Sequence, residues 1–404
     1  MYDEATVGAR LRELRRWRGM SMQTLADLAG LSQGHLSKLE NGKVALDRRS
    51  HIAGLAAALR VSEVDLVGGP HLTPDPVQSA PHGHIPALRA TLQANALMLP
   101  TTDWARPLAD LTAAVLDELE PLRRACDYTA IGERLPDVLD ELHVHTADPH
   151  DEQAQRIALR ALVEACVCAT FTAKNLGYPD LAYAAAARAA EAAHRLDEPV
   201  QVGKAAFLKV QTMPKTSQER TRLMAGHAAD ALEPYAGRPG ALETLGMLTL
   251  SASLAAATLR DKAGAEHWLA EAARLAKRVP DEPMTNWQSF STTNVGVWRV
   301  TIEVEQGAAG AAVLELTKGI DEAKLGRSSR KASFFADVGC GLARDRRTQR
   351  EALHWFGRAE KVAPQRIRNS PTVREAVAVM LAQAKSVAVG RDLRRMAARM
   401  GIPH

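Results

Sequence analysis

Gln33, Gly34, Ser37 and Lys38 fall on one side of a short stretch whose other side carries Leu36 and Leu39. On a helix, residues three apart share a face, so the two leucines mark a buried side. The opposite side is left with short hydrogen-bonding groups and one cation. That is recognition chemistry: a glutamine amide matches an adenine edge and a lysine matches a guanine edge in the DNA major groove. No catalytic constellation competes with it. Gly237-Arg-Pro-Gly240 and Gly339-Cys-Gly341 have no strand before them and no following Gly-Lys-Ser/Thr, and neither His-Glu-x-x-His nor Gly-x-Ser-x-Gly occurs. Asp137, Asp140 and Glu141 are read as a solvated helix face. The chain is therefore expected not to be an enzyme and to need no cofactor.

Metal chemistry is not expected either. Cys126, Cys166, Cys168 and Cys340 are too scattered for a disulfide framework. Cys166 and Cys168 lie about 200° apart around a helix and are read as buried free thiols. His82 and His84, and His143 and His145, lack partners at metal-ligand spacing and are read as linker and helix-end histidines.

Short elements must position the polar face. The pattern predicts helix 1 over about Thr6 to Arg18, with Val7, Leu11 and Leu14 inward. Ser21 caps helix 2, which runs from Met22 to Ala29 with Leu25 and Leu28 inward. Gly30 turns the chain at positive φ, Ser32 caps the third helix, and Asn41-Gly42 ends it. Asp47 is expected to cap helix 4, where Ile52, Leu55 and Leu59 face the core, and Ser62 caps a last turn.

Ala26, Gly30 and Leu36, followed by Leu39-Glu40-Asn41-Gly42-Lys43, carry a resemblance. Residues from about Val7 to Val67 resemble the Cro/C1-type (XRE) helix-turn-helix domains of phage repressors and bacterial regulators. The resemblance implies a five-helix lambda-repressor-like fold that binds double-stranded DNA. It implies that Asn41, Lys43 and Arg48 lie near phosphates or the minor groove. It also implies a structural pair between Arg15 on helix 1 and Glu40. Many members carry glutamine at the first position of helix 2, where this chain has Met22 followed by Gln23.

With 404 residues, 46% hydrophobic and 24% charged, the chain is expected to hold more than one domain. Net charge is only +4, and residues 1–67 hold ten lysines and arginines against eight acids. Placement of the basic residues, rather than bulk charge, argues for DNA. No apolar run is read as long enough to span a bilayer, and the start lacks a signal-peptide pattern, so a cytoplasmic location is expected.

Residues 68–86, with Gly68-Gly69-Pro70, Pro74, Pro76, Pro81 and Pro86, are expected to form an extended linker. From 87 to 404 nearly everything reads as helices joined by short turns, including 121–145, 285–306 and 308–325. That pattern predicts an all-α chain ending in an α-solenoid. Ala352, Phe356, Ala359 and Pro364 resemble the second helix and terminal proline of a tetratricopeptide repeat (TPR), and Ala265, Leu269 and Ala272 repeat the spacing.

The layout resembles two-part regulators such as the RRNPP quorum-sensing group. It implies a homodimer on a palindromic operator, with a TPR-like domain that senses a peptide, small molecule or protein partner. An interaction scaffold with a non-essential helix-turn-helix is the alternative. The candidate sensor surface is the face of Trp287, Ser291, Asn294 and Trp298, spaced i, i+4, i+7 and i+11.

Overall fold

A computed structural model describes residues 6–73, 75–282, 285–384 and 387–403. The chain is 77% helical, without a strand among the described residues. Five helices build an N-terminal head: α1 (Val7–Trp17), α2 (Met22–Ala29), α3 (Gln33–Glu40), α4 (Arg49–Leu59) and α5 (Glu63–Val67). Thr6, Ser21, Ser32 and Ser62 cap α1, α2, α3 and α5 through their hydroxyls, each satisfying an amide the helix itself leaves unpaired. Gly30 turns the chain between α2 and α3 at φ 65°. Leu11, Leu25, Leu36, Leu39, Ile52, Leu55 and Leu59 close a common core. Leu28, expected inward, is exposed.

The cap expected from Asp47 is corrected. Helix α4 begins at Arg49, and Arg48 at its N-cap makes no side-chain capping bond. Asp47 turns away to pair with Arg344, 3.0 Å distant. The cap comes from far along the chain. Glu305 accepts the amides of Arg49 and Ser50, each at 2.9 Å.

The extended linker is also corrected. Asp75 accepts the amides of Val77 and Gln78 and starts α6 (Pro76–Gly83), and α7 (Ile85–Ala94) follows directly. Pro76 and Pro86 sit in first turns, where proline loses no hydrogen bond. His82 is buried, 3.0 Å from both the Tyr178 hydroxyl and the Asn369 amide oxygen. His143 is buried as well, and burial pulls it down to about 4. Glu141 is not solvated; it is buried against Arg106 at 2.8 Å.

The remaining helices are α8 (Leu108–Ala113), α9 (Glu120–Ala125), α10 (Tyr128–Ala147), α11 (Glu152–Asn175), α12 (Pro179–Leu196), α13 (Pro199–Thr212), α14 (Gln218–Leu232) and α15 (Ala241–Thr258). They continue as α16 (Lys262–Ala276), α17 (Thr292–Gln306), α18 (Ala311–Thr317), α19 (Ser328–Ala343), α20 (Gln349–Val362), α21 (Pro364–Arg368), α22 (Pro371–Gln383) and α23 (Val387–Arg399). Consecutive helices pack against each other, and α11, α13, α15, α17 and α19 also touch their next-but-one neighbours. These five line one inner face, and α12, α14 and α16 back them. The far end returns to the near end: α21 packs on α6, and Gln365 accepts the Tyr128 amide at 2.7 Å.

Helix α15 sits at the centre. Among the described residues it alone has the length and mean hydropathy, 1.2, to cross a membrane, yet 83% of it is buried within the solenoid. The Phe290 ring rests directly on Gly246 of α15, where a Cβ would lie 1.9 Å from the ring. Gly246→Ala should therefore displace Phe290 and cost about 2 kcal/mol. Urea unfolding measures this, and an unchanged midpoint would contradict the packing.

The helix expected over 285–306 starts only at Thr292. Trp287 to Ser289 form a single tight turn, with Gln288 and Ser289 at φ 52° and 60°. Ser291 caps α17 by accepting the Asn294 amide. The 121–145 helix is broken by Cys126 at φ 61°, and 308–325 splits around 318–321.

Candidate nucleic-acid interface

On α3, Gln33, Gly34 and Lys38 are exposed and Ser37 is half-buried, while Leu36 and Leu39 enter the core. Asn41 closes the helix; its amide donates to the Ser37 carbonyl at 2.7 Å, and its oxygen accepts from Arg12 at 2.6 Å. Lys43 is exposed in the following loop. Gln23 is exposed on α2, its amide bonded to Asp27 at 2.7 Å.

Behind this face stands an ion pair. Arg15 donates to Glu40 through two nitrogens, at 2.6 and 2.9 Å, and to the Met20 carbonyl at 3.0 Å. The hydrogen bond to Glu40 raises the Arg15 guanidinium above the ordinary arginine value. The Glu40 side chain is 1% exposed. A paired fork with both oxygens satisfied holds α3 against α1.

Arg48 is corrected. The residue expected near phosphates is turned into the solenoid, where Nε donates to the Glu305 carbonyl at 2.8 Å. Burial lowers its pKa from the ordinary arginine value. Around it the head rests on the ends of the inner helices. Arg260, after α15, donates to the Gly30 carbonyl at 2.9 Å, and Arg344, after α19, holds Asp47. Gln383, ending α22, donates to the Lys43 carbonyl at 2.7 Å, and Lys215 pairs with Glu63 at 2.8 Å. Between head and solenoid lies a cleft of about 490 Å³ that His35, Lys38 and Lys43 reach from one side and Arg344, Arg346 and Gln383 from the other. His51 packs edge-on against His35 with ring centres 5.0 Å apart, and burial drives it down to about 3, so it is neutral there.

Glu375 on α22 is buried against the loop before α4. Burial, with Asp47 adding, pushes its carboxyl up to about 7, although the Leu46 amide donates to it and Arg10 opposes the shift. The folded chain thus holds this proton more tightly than the unfolded chain does. The contribution is whole below the ordinary value of 4.5 and is lost as pH climbs through about 7. Between pH 5 and 8 the chain should lose about 2 kcal/mol from this group. Thermal melting of Glu375→Gln should show a flatter pH profile; an identical slope would contradict the assignment.

The four residues expected on one sensor face do not share one. Ser291 is a buried cap, and Trp287 precedes α17 in the irregular turn. Asn294 is buried, with its amide facing the Gln288 carbonyl at 3.4 Å. Of the four, Trp298 lines a partly open pocket, together with the nearby Gln288, Ser289 and Thr301.

Glu305, Arg344 and Gln383 carry no local motif for their role. Glu305 does leave one trace. It is an acid in the last turn of α17, where its own helix dipole disfavours negative charge. Such an acid fits the positive end of another helix.

The head is a helix-turn-helix domain of the Cro/C1 type. A family model described as "Helix-turn-helix domain" matches residues 6–67. Over 80 residues the chain is 36% identical to an uncharacterized HTH-type transcriptional regulator, RghRB, of Bacillus subtilis (strain 168). That alignment covers 19% of this chain and 58% of that protein, so the chain spans little more than half the relative's length. No solved structure matches the chain.

Proposed function

We propose that this chain is a sequence-specific DNA-binding regulator of transcription, working in the cytoplasm, with the head as reader and the solenoid as sensor. The outward polar face of α3 carries this reading, and the helix-turn-helix match and the regulator named above support it. In the proposed mode Gln33 and Lys38 meet base edges, with Gly34 and Ser37 between them on the groove side. Asn41 and Lys43 meet phosphates. Two copies joined through the solenoid would read palindromic half-sites about 34 Å apart.

The helix pairs are read as divergent TPR-like units. A peptide, small molecule or partner protein on the solenoid would act by changing the contacts of Glu305, Arg344 and Gln383 with the head. A binding-site selection tests the reader. Gln33→Ala and Lys38→Ala should each shift sequence preference, by about 1–3 kcal/mol per good base contact. Unchanged preference with both replaced would sink the assignment.

A further inference from the structure

The inner face of the solenoid carries a partly open pocket of about 280 Å³, small-molecule rather than protein-sized. Six cations line it: Arg49, Arg123, Lys174, Arg327, Arg330 and Arg366. Among the described residues one acid, Asp337, lines it with them, and Glu120 pairs with Arg123 beside it. Glu120 is already held by Arg123 at 2.5 Å and approached by Arg327 at 3.3 Å. Lys174 is reached from the cavity and donates to the neutral Gln211 at 3.0 Å, and Arg366 donates to the Ser333 hydroxyl at 2.8 Å. Cations gathered away from water without matching anions are costly.

The strain is visible in single groups. Arg327 is 4% exposed, yet its Nε has no hydrogen-bond partner among the described residues, and neither has the Nε of Arg330. Burial pulls Arg327 down to about 9 and Arg330 to about 10. Other donors face the same space. Trp298 is 7% exposed, and its indole N–H, the Gln288 amide and the Ser289 hydroxyl on the left-handed turn have no partner among the described residues. The rings of Tyr128, Phe171, Phe207 and Trp298 supply flat apolar walls.

We propose that this cavity binds a small organic anion, with two or more carboxylate or phosphate groups on a flat apolar body, and that Arg49 reports its presence to the head. Excess guanidinium and neutral donors suit the charged groups, and the rings suit the body. Arg49 is the first residue of α4, so its side chain belongs to the reader while it faces the sensor's cavity. Its amide is held by Glu305 of α17, the helix that also presents Trp298 and Thr301 to the cavity. A bound anion therefore acts on both ends of the contact that docks the head. This rests on the sensor reading above and gives it a ligand class.

Calorimetry and thermal shift on the full chain test it with three probes: isophthalate, resorcinol bisphosphate and, as a neutral control, isophthalamide. At least one anion should bind saturably at millimolar concentration or tighter, and isophthalamide should not. The two anions separate a carboxylate site from a phosphate site. Arg330→Gln should weaken the anion about tenfold or more. Arg330 is only partly buried, so this variant keeps the test alive if Arg327→Gln does not fold. Arg49→Gln should retain binding but abolish the anion-induced change in hydrogen exchange across residues 43–55. Equal binding of isophthalamide, no saturation by either anion, or full affinity in Arg330→Gln would overturn the site. Exchange that responds identically in Arg49→Gln would overturn its reporting role. Failure of the binding-site selection would instead defeat the DNA-reading proposal and leave the calorimetric result standing.

Discussion

Arg15→Met should destabilise the head by about 3 kcal/mol. Glu40 is 1% exposed and Arg15 13% exposed, so the pair is nearly out of water. Methionine removes both short bonds to Glu40 and the bond to the Met20 carbonyl. Arg12 then remains the nearest cation, 3.7 Å from the carboxylate and itself a third exposed. It cannot offer a second parallel fork. The stranded carboxylate, rather than the lost attraction, sets the size of the effect. Denaturant unfolding followed by hydrogen exchange in α1 and α3 would read it. Double replacement of Arg15 and Glu40 by apolar residues should cost much less, because no charge is left behind. A single-variant loss under about 1 kcal/mol would place the pair among ordinary surface bridges.

Glu305→Ala should release the head from the solenoid, at a cost of about 3 kcal/mol. One buried carboxylate takes two backbone amides at 2.9 Å, and bonds of this charged kind contribute about 1.5–3 kcal/mol each. Both amides lie at a helix N-terminus, where a negative charge gains further from the dipole. Nothing local replaces the cap, since Arg48 makes no capping bond and Asp47 is committed to Arg344. The amides of Arg49 and Ser50 should exchange faster, and protease should reach the loop around Lys43 to Arg48. Glu305→Gln retains one acceptor and should fall between. If α4 stays protected in Glu305→Ala, the solenoid does not hold the head through this residue.

Local signals were legible in the sequence, and distant ones were not. Ser21, Ser32 and Ser62 act within three residues of themselves, as does the turn at Gly30, so spacing alone places them. The partner of α4 lies 256 residues away and has no such trace beyond an acid at an unfavourable helix end. Proline count misled at 76–86 because position matters more than density: Pro76 and Pro86 sit in first turns, where proline is compatible with helix, and α6 carries Pro81 inside it. The tryptophan spacing misled for a related reason. Trp287, Ser291, Asn294 and Trp298 keep a helical interval, but Ser291 is a cap and the irregular turn at 287–289 precedes the helix. The cavity's cations come from α4, α9, α11, α19 and α21, and no one-dimensional pattern gathers them.

The return of α21 to α6 and α10 changes how this fold bears load. An open stack of helix pairs behaves as a spring, extending by small rotations spread over its length, and its units melt from the ends. Here the Gln365 side chain grips the Tyr128 backbone across 237 residues of sequence, and Asn369 grips His82. The closed part, from α6 to α21, has no free end from which to fray. Its segments cannot unwind one by one, so deformation at any point is shared around the circumference, and unfolding becomes a single concerted event. The same closure joins segments far apart in sequence, and such a contact costs more loop-closure entropy than the packing of neighbouring helices.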